Sequence, residues 1–486
     1  MPAKLVAIGD SLTQGFLSGS ISQTQLSYPA TIARCLGETD FKVPDFAGEG
    51  GLPVNLETLF QMLAEKFGEK IGVSDSVSAF LATQGLLDRV EDYWERGEGT
   101  KSTQTGPLHH NLAVWGFALS DCDTLTEATC RRFIPKPKDN TVNQIPEFAM
   151  YRTARRTLNP SFDIQYENLS QLSAAAEIAK TQGGIENLIF WLGSNNCLST
   201  VTNLKIKWSL AADLERLPHQ RSCNLWLPSH FRTLLWQIAD KIDAIAAKNV
   251  FIATIPHVTI PPVSRGITPG AACGQELSED GYYEYYTHFW IWDEDFANAP
   301  DKYPHLTRDQ ARTIDAAINE YNEAIKLEAN KRGWHVVDIC NALDRLAYRR
   351  QKGHTSYEFP KELVAALKAN PATKDRFTSD GKPILDTRYL RLDMAKTNPE
   401  QKYRGGIFSL DAIHPTTTGY GIVAHEFLQV MAQVLPEKPK PLNWQEIISA
   451  DSLLLNPPEN LQNLREILNF LKYRTPLPSL IKVISG

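Results

Sequence analysis

Short apolar runs rich in β-branched residues alternate with longer amphipathic patterns along this chain. An alternation of this kind is typical of a parallel sheet wrapped by helices. It predicts an α/β fold in three layers, with a doubly wound, mostly five-stranded parallel sheet. The predicted strands are Lys4 to Ile8, Asn111 to Val114, Leu188 to Leu192, Val250 to Ile255 and His335 to Ile339.

Between the strands, apolar residues recur at helical spacing and predict the main helices. These helices are expected from about Tyr28 to Cys35, Glu167 to Lys180, Phe231 to Ala247, Arg308 to Arg332 and Thr417 to Val434. The helix beginning at Arg308 should be capped, because Thr307 and Gln310 have the spacing at which each side chain can bond the backbone N–H of the other.

Two long stretches interrupt this alternation. Residues 37–107 contain two amphipathic patterns and predict a helical insertion. Residues 264–304 predict a second helical insertion, which holds eight aromatic residues between Tyr282 and Phe296 and is acidic. This aromatic segment is interpreted either as a lid or wall of a substrate site, where an acidic surface would disfavour anionic substrates, or as packing against the core.

The composition excludes several classes of protein. With 42% hydrophobic and 22% charged residues over 486 positions, the chain can bury an ordinary globular core. The net charge of -6 offers no chain-wide basic surface for nucleic acid. Apolar runs such as Leu188 to Leu192 are far shorter than the roughly 18 residues of a membrane span. We therefore expect a small-molecule partner, no nucleic acid and no stable membrane insertion, while the oligomeric state stays open.

The cysteines and the N-terminus predict a cytoplasmic protein. Seven cysteines are an odd number, and none is spaced as Cys-x-x-Cys, which favours reduced thiols. The apolar run from Leu5 to Ile8 follows directly after Met-Pro-Ala-Lys, which leaves no room for the three regions of a signal peptide.

The sharpest local motif is Gly9-Asp10-Ser11-Leu12, which directly follows the first predicted strand. Gly9 permits a tight turn that would expose Ser11 at the carboxyl end of the strand, where open α/β sheets place their sites. A helix starting there would point its free N–H groups towards negative charge on a substrate oxygen. Taken alone, such a serine is equally well interpreted as a helix cap.

A serine hydroxyl becomes a nucleophile when a base removes its proton. Among the eleven histidines, His414 has a carboxylate, Asp411, three residues earlier, where it could fold back onto the ring. Asp411 would then fix the imidazole tautomer and stabilise the imidazolium. The alternative is that Asp411 caps the helix near Thr417 and His414 is a loop residue.

An ester-cleaving site also needs donors for the oxyanion that forms on the substrate. Gly116 could offer a backbone N–H at the end of the second predicted strand, and Asn195 could donate from its amide after the third. Each could instead be an ordinary turn residue. Gly48 is a second-ranked candidate for the glycine donor, because no strand precedes it.

In chain order the motifs are strand-GDSL, strand-Asn-Leu-Ala-Val-x-Gly, strand-Gly-x-Asn-Asn and Asp-x-x-His-Pro. This order resembles the GDSL, or SGNH, hydrolase family. The resemblance implies a flavodoxin-like SGNH fold in which Ser11 is the nucleophile and an oxyanion donor. It also implies that Gly116 and Asn195 complete the oxyanion hole and that Asp411 and His414 complete the triad.

Because these five positions have to meet in one site, we expect a single catalytic domain over residues 1–435 that carries both insertions. Residues 436–486 are expected to form a proline-rich connector and a helical tail, with a helical pattern near Leu461 to Leu471.

The resemblance implies a serine esterase or lipase that hydrolyses carboxylic esters through an acyl-enzyme, with a lipid or an acylated sugar as possible substrate. No nucleotide-binding motif and no cluster at zinc spacing is found in the sequence, so no cofactor and no metal are expected. Two alternatives remain: an acyltransferase with the same triad, and a non-catalytic protein that binds lipid or carbohydrate on the same fold.

Overall fold

The computed structural model describes residues 1–68, 75–103, 106–137, 145–268, 277–291, 293–348, 350–351, 355–392 and 396–458. Its strands are β1 Val6–Gly9, β2 Ser20–Ile21, β3 Leu52–Pro53, β4 Ile185–Trp191, β5 Ala247–Ala253, β6 Ser264–Ile267, β7 Tyr285–His288, β8 Leu306–Thr307, β9 His335–Val337, β10 Arg391–Leu392 and β11 Tyr403–Arg404. The helices of the first half are α1 Ser11–Gln14, α2 Tyr28–Cys35, α3 Leu56–Phe67, α4 Ser76–Glu95, α5 Asp121–Thr124, α6 Glu127–Phe133, α7 Ala149–Leu158, α8 Gln171–Gln182, α9 Ser199–Asn203 and α10 Pro228–Asp243. Those of the second half are α11 Asp293–Asn298, α12 Arg308–Arg332, α13 Ile339–Leu346, α14 Lys361–Ala369, α15 Pro399–Lys402, α16 Thr417–Val434, α17 Trp444–Ser449 and α18 Ser452–Leu455.

The centre of the molecule is a parallel sheet of four strands in the order β1-β4-β5-β9. Gly9 at the end of β1 lies opposite Trp191 at the end of β4, and Ala253 of β5 lies opposite Val337 of β9. All four strands therefore end at the same edge of the sheet, which is where α/β proteins place their ligand sites.

Both faces of this sheet are buried, and the burial follows the alternation of side chains along the strands. Val6 and Ile8 belong to an apolar cluster that includes residues of α8, α10 and α12. Leu5 and Ala7 belong to the opposite cluster, with residues of α2 and α16. The predicted three-layer, doubly wound arrangement is confirmed.

The sheet has four strands and not the expected five. Leu112 N–H donates to Ala7 O at 2.8 Å and Val114 N–H to Gly9 O at 3.1 Å, so residues 111–114 do run beside β1. The segment nevertheless forms only one isolated bridge, between Ala7 and Asn111. The reason is local: the Asn111 side-chain oxygen accepts the N–H of Ala113, and the Asn111 NH2 group donates to Thr13 O at 2.9 Å. A side chain thus takes the place of a longer backbone ladder.

The predicted helices α2, α12 and α16 have the expected bounds. The capping box of α12 is present, with Thr307 and Gln310 in reciprocal bonds. Helix α8 begins later than predicted because Ser170 caps it, and α10 ends before Ala247 because that residue starts β5.

The two insertions differ in structure. The first carries α3 and α4, in agreement with the predicted helical patterns. The prediction of a helical second insertion is wrong: its described part forms the antiparallel sheet β6-β7-β8, with the short α11. Its aromatic side chains explain the difference, since they favour strands, and Tyr283, Tyr286 and Phe289 are buried.

Residues after α16 return to the main body. Trp444 and Ile447 of α17 share an apolar cluster with Ile422 of α16, and the Asp451 carboxylate accepts the N–H of Thr418 at 2.8 Å. The helical pattern predicted near Leu461 to Leu471 lies outside the described residues. A helix long and apolar enough to cross a bilayer is not found in the part of the chain that the structure describes.

Candidate active site

Ser11 lies in the turn that leaves β1. The Asp10 side chain caps α1 by accepting the N–H of Leu12 at 3.0 Å, and Ser11 is the first residue of this four-residue helix. Gly9 is required for this geometry, because a Cβ there would collide with the Thr13 side chain and lie 2.9 Å from Trp191 O. The turn therefore presents Ser11 at the carboxyl edge of the sheet, as the motif predicts.

Asp411 and His414 form a buried pair within one loop. His414 Nδ1 lies 3.0 Å from Asp411 Oδ2, and the other carboxylate oxygen accepts the N–H groups of Ile413 and His414 at 2.9 and 2.8 Å. Gly19 N–H donates to Oδ2 at 2.9 Å. The alternative in which Asp411 caps the following helix is wrong, since α16 is capped by Thr416.

The hydrogen bonds of Asp411 keep it ionised. Burial alone would raise the pKa of this carboxyl, but His414 and the backbone N–H groups hold it below its ordinary value. An ionised carboxylate at Nδ1 fixes the tautomer of His414 and directs Nε2 away from the loop.

Ser11 and His414 line the same cavity at the edge of the sheet. None of the described residues hydrogen-bonds to His414 Nε2, and the Phe16 ring packs against the imidazole with a centroid distance of 4.6 Å. A contact between Ser11 Oγ and Nε2 that tightens only when substrate binds is common in ligand-free active sites. The arrangement can supply a nucleophile and a base in one water-poor pocket.

Gly116 and Asn195 lie in adjoining loops beside this site. The Asn195 amide donates to Phe117 O at 2.9 Å, and Trp115 N–H donates to the side chain of Gln14 in α1 at 2.9 Å. Gly116 has a φ of 79°, a conformation that favours glycine. Neither Gly116 nor Asn195 lines the cavity that contains Ser11 and His414.

The rival glycine lies in a different environment. A Cβ on Gly48 would collide with the ring of Tyr93 in α4, so this residue packs within the first insertion. The structure therefore gives Gly48 a packing role, whereas hydrogen bonds tie the Gly116 loop to α1 and to Asn195.

Two polar residues of the site were missed at the sequence level. Burial raises the pKa of Asp10 to about 7, opposed by Leu12 N–H and nearby His414, and its Oδ2 has no hydrogen-bond partner among the described residues. The buried hydroxyl of Ser194 likewise lacks a partner within the described ranges, and Ser194 lines the cavity. Asp10 belongs to the Gly9–Leu12 motif and Ser194 directly precedes Asn195, which is the signal that could have identified them.

A second buried polar group, here called the Arg350 cluster, consists of His257, Asp315, Asp344 and Arg350. His257 Nδ1 lies 2.8 Å from Asp344 Oδ1, and Nε2 lies 2.9 Å from the side-chain oxygen of Asn319. Arg350 pairs with both Asp315 and Asp344. The cluster borders the Ser11 cavity through His257.

His257, Cys340 and Asp344 place their ligand-type atoms within 4.8 Å of one another, a grouping that sequence spacing does not reveal. Two observations argue against a metal ion there. The Arg350 guanidinium lies 3.1 Å from both His257 Nδ1 and Asp344 Oδ1 and would repel a cation. Burial lowers the pKa of His257, but Asp344, Cys340 and Asp315 together raise it to about 11, whereas a ligand histidine must be neutral.

The aromatic second insertion does not line the cavity of Ser11 and His414 in its described part. Phe289 stacks on Tyr389 with a centroid distance of 4.6 Å, and the Tyr282 hydroxyl donates to Asp315 at 2.8 Å. Of the two interpretations, packing against the core is the one that these contacts favour.

Comparisons with known proteins identify the family. A search of curated proteins finds no significant match. The chain is similar to the solved extracellular lipase of Streptomyces rimosus, at 13% identity over 88% of this chain and 99% of that one, with a TM-score of 0.32. The match to phospholipase A1 of Streptomyces albidoflavus NA297 has 13% identity over 88% of this chain and 100% of that one, with a TM-score of 0.30. The model of the GDSL-like Lipase/Acylhydrolase family matches residues 5–427, so the chain belongs to this family.

Proposed function

We propose that the protein is a serine esterase that hydrolyses carboxylic esters with Ser11 as nucleophile, His414 as base and Asp411 as the residue that orients it. One observation carries this proposal. His414 bonds through Nδ1 to a carboxylate whose oxygens are already held by three backbone N–H groups, while Nε2 is left for the cavity that it shares with Ser11. This is the arrangement that nucleophile activation needs.

In the first half of the reaction, His414 Nε2 takes the hydroxyl proton of Ser11 as Oγ attacks the ester carbonyl. The carbonyl electron pair moves to its oxygen, and a tetrahedral intermediate forms. When the pair returns, the bond to the alcohol oxygen breaks and His414 gives that oxygen the proton. Water then repeats the sequence on the acyl-Ser11 ester, which releases the acid and restores Ser11.

The oxyanion donors of this proposal are the N–H groups of Ser11 and Gly116 and the amide of Asn195. Asn195 Nδ2 carries two hydrogens, and the bond to Phe117 O uses one of them. That bond would hold the amide in place so that the second hydrogen can meet the oxyanion, which is the preorganisation that such sites rely on.

The test combines covalent labelling with turnover. A fluorophosphonate should label the wild-type protein and the Ser20→Ala variant but not Ser11→Ala, and hydrolysis of nitrophenyl acetate should follow the same pattern. Ser20 is a matched control because it is a buried serine whose hydroxyl has no partner among the described residues and which does not line the Ser11 cavity. Labelling of Ser11→Ala at the wild-type rate would refute the assignment, and an unreactive wild type would favour the non-catalytic binding protein.

Whether water or an alcohol accepts the acyl group is decided by the products. With an excess of a simple alcohol, hydrolysis yields mainly the free acid, whereas an acyltransferase yields mainly a new ester. Mass spectrometry of the products separates these outcomes.

For location we propose the cytoplasm, supported by free thiols at Cys35, Cys122, Cys130, Cys197, Cys223 and Cys340. Cell fractionation with antibody detection tests this, and recovery of the protein outside the cytoplasm would contradict it.

A further inference from the structure

The Ser11 cavity continues beyond His414 as a groove between α13 and α16, here called the α13–α16 groove. Residues one and four positions apart on each helix point into it: Ala342, Leu343 and Leu346 from α13, and Ile422, Val423 and Glu426 from α16. The space between these walls totals about 810 Å³, a volume that includes solvent-open space at the mouth of the cavity.

The walls of the cavity are strongly apolar. Apart from Ser11, Ser194, His257, His414 and Glu426, the side chains that line it are hydrophobic. Both ring nitrogens of His257 are engaged, by Asp344 and Asn319, so His257 offers the cavity no free nitrogen. An extended hydrocarbon chain is the kind of ligand that such a surface binds, since burial of apolar area is its main source of affinity.

Polar side chains lie at both ends of the α13–α16 groove. Helix α16 starts at Thr417, three residues after His414, and Glu426 follows nine residues later, about 14 Å along the helix axis. The Tyr357 hydroxyl donates to Glu426 at 2.6 Å, and the Arg345 guanidinium lies 4.0 Å from its other oxygen. The apolar part is therefore bounded by Ser11 and His414 on one side and by a held carboxylate on the other.

We infer that the α13–α16 groove binds the acyl chain of the ester and that Glu426 limits its length, so that the substrates are esters of straight, medium-length acyl chains. The inference rests on the proposed function, because the ester carbonyl has to lie at Ser11. The acyl chain is the part that stays attached to Ser11 through both halves of the reaction, so a dry groove suits it. The alcohol has to leave and be replaced by water, which favours a wetter side of the site.

The length limit follows from the chemistry of Glu426. Each methylene that enters the groove should raise kcat/KM about fourfold, since that is the gain from burying one such group. A chain that reaches Glu426 has to displace or desolvate a carboxylate, which is costly. Selectivity should therefore climb with chain length and then stop climbing.

The experiment measures kcat/KM for two ester series. Nitrophenyl esters from acetate to dodecanoate vary the acyl chain, and acetate esters of alcohols of matching lengths vary the other side. The expected result is a rise of about fourfold per methylene in the acyl series up to a plateau, with less than twofold per methylene in the alcohol series. A rise confined to the alcohol series, or no rise in either, overturns the inference.

Variants then locate the groove. Glu426→Leu should move the plateau to longer acyl chains, whereas Glu426→Gln, which stays polar, should move it less. Ala342→Phe should lower the ratio of decanoate to acetate hydrolysis at least tenfold by filling the groove. The matched control is Asn341→Phe, an exposed neighbour on α13, which should keep the wild-type ratio.

Because Ala342 is buried, its variant has to be checked by thermal unfolding, and Glu426→Leu carries the test if Ala342→Phe does not fold. An unchanged plateau in Glu426→Leu overturns the role of Glu426. The two levels of the hypothesis fail separately. Hydrolysis that requires Ser11 but ignores acyl length rejects the groove alone, whereas hydrolysis that survives Ser11→Ala rejects the proposed function.

Discussion

The wall of the Ser11 cavity contains two buried histidines, His414 and His257, and each is hydrogen-bonded through Nδ1 to a carboxylate. Their second nitrogens differ. His257 Nε2 is bonded to Asn319 at 2.9 Å, whereas no described residue bonds to Nε2 of His414. The charges differ too, since Arg350 stands beside the His257 pair and the His414 pair has no such partner cation among the described ion pairs.

A histidine–carboxylate pair therefore does not by itself mark a catalytic base. Both ring nitrogens of His257 are already bonded, to Asp344 and to Asn319, so neither is free to take a proton from a nucleophile. A saturated pair of this kind stabilises structure, while the pair with an unbonded nitrogen next to a serine can move a proton.

Substitution of the two histidines should give the largest difference in kcat. His414→Gln should lower kcat by on the order of 10⁴ to 10⁶, because the base is lost while the fold is kept. His257→Gln should instead lower the unfolding temperature and keep kcat per folded molecule within about tenfold of wild type, because its nitrogens serve the Arg350 cluster. Hydrolysis of nitrophenyl acetate gives kcat for both variants, and thermal unfolding gives their unfolding temperatures. Equal losses of kcat in the two variants would show that the distinction is wrong.

The next effect concerns the stability of the Arg350 cluster. Arg350→Met leaves Asp315 buried without its cation and should cost about 3–5 kcal/mol of unfolding free energy. The double variant Asp315→Asn/Arg350→Met should cost less than the sum of the single variants, because the two groups interact. Urea unfolding measures both.

The matched control for Arg350 is Arg312→Met. Arg312 also pairs with carboxylates, Asp280 and Asp309, but at the surface. It should change the unfolding midpoint far less than Arg350→Met does. If the two arginine variants are equally destabilised, burial is not what gives the Arg350 cluster its importance.

A somewhat smaller loss of kcat is expected when a proposed oxyanion donor of the Ser11 site is removed. Asn195→Ala should lower kcat by about 10² to 10³ with a much smaller change in KM, because an oxyanion donor acts in the transition state. Asn196→Ala is the contrast: the fully buried Asn196 accepts Leu119 N–H at 2.9 Å, so its loss should appear in stability more than in rate. A larger loss of kcat in Asn196→Ala than in Asn195→Ala would show that Asn195 is not the oxyanion donor.

The two clusters also differ in how far the sequence alone reveals them. Asp411 and His414 are three residues apart in one loop, so their pairing is a local property that spacing predicts. The Arg350 cluster joins residues from three separate segments, and Arg350 lies 93 positions from His257. No periodicity encodes such a contact, because it is made by the packing of α12 and α13 against the end of β5.

The same division holds for the fold. Apolar runs in the sequence predict buried strands such as β4 and β5, because both faces of these strands are covered. Residues 111–114 looked like such a strand, and the hydrogen bonds of the Asn111 side chain, which composition cannot show, decided otherwise. The second insertion was misjudged for a related reason, since β6, β7 and β8 are defined by pairing between distant segments.

The change that is smallest per pH unit is a loss of stability that falls in a different pH window for each of the two regions. Asp10, beside His414, has its pKa raised by burial from 3.8 to about 7, so between these values the folded protein binds more protons than the unfolded chain. Stability should therefore fall as the pH rises from about 4 to 7, and Asp10→Asn should lose that slope. His257, which faces Asp344, Asp315, Cys340 and Arg350, has its pKa raised from 6.5 to about 11.

The contribution of His257 to the unfolding free energy is complete below pH 6.5 and is lost as the pH rises towards 11. His257→Gln should therefore flatten the pH dependence of stability above pH 6.5 and leave the slope between pH 4 and 7 unchanged. One proton accounts for at most about 1.4 kcal/mol per pH unit, so each slope is modest. Urea unfolding of the wild type and both variants from pH 4 to 10 measures them. If Asp10→Asn removed the slope of stability above pH 6.5, or His257→Gln the slope between pH 4 and 7, other groups would bind the protons responsible. The contrast between the Ser11 site, whose polar groups lack some hydrogen-bond partners, and the fully bonded Arg350 cluster would then have no support from their electrostatics.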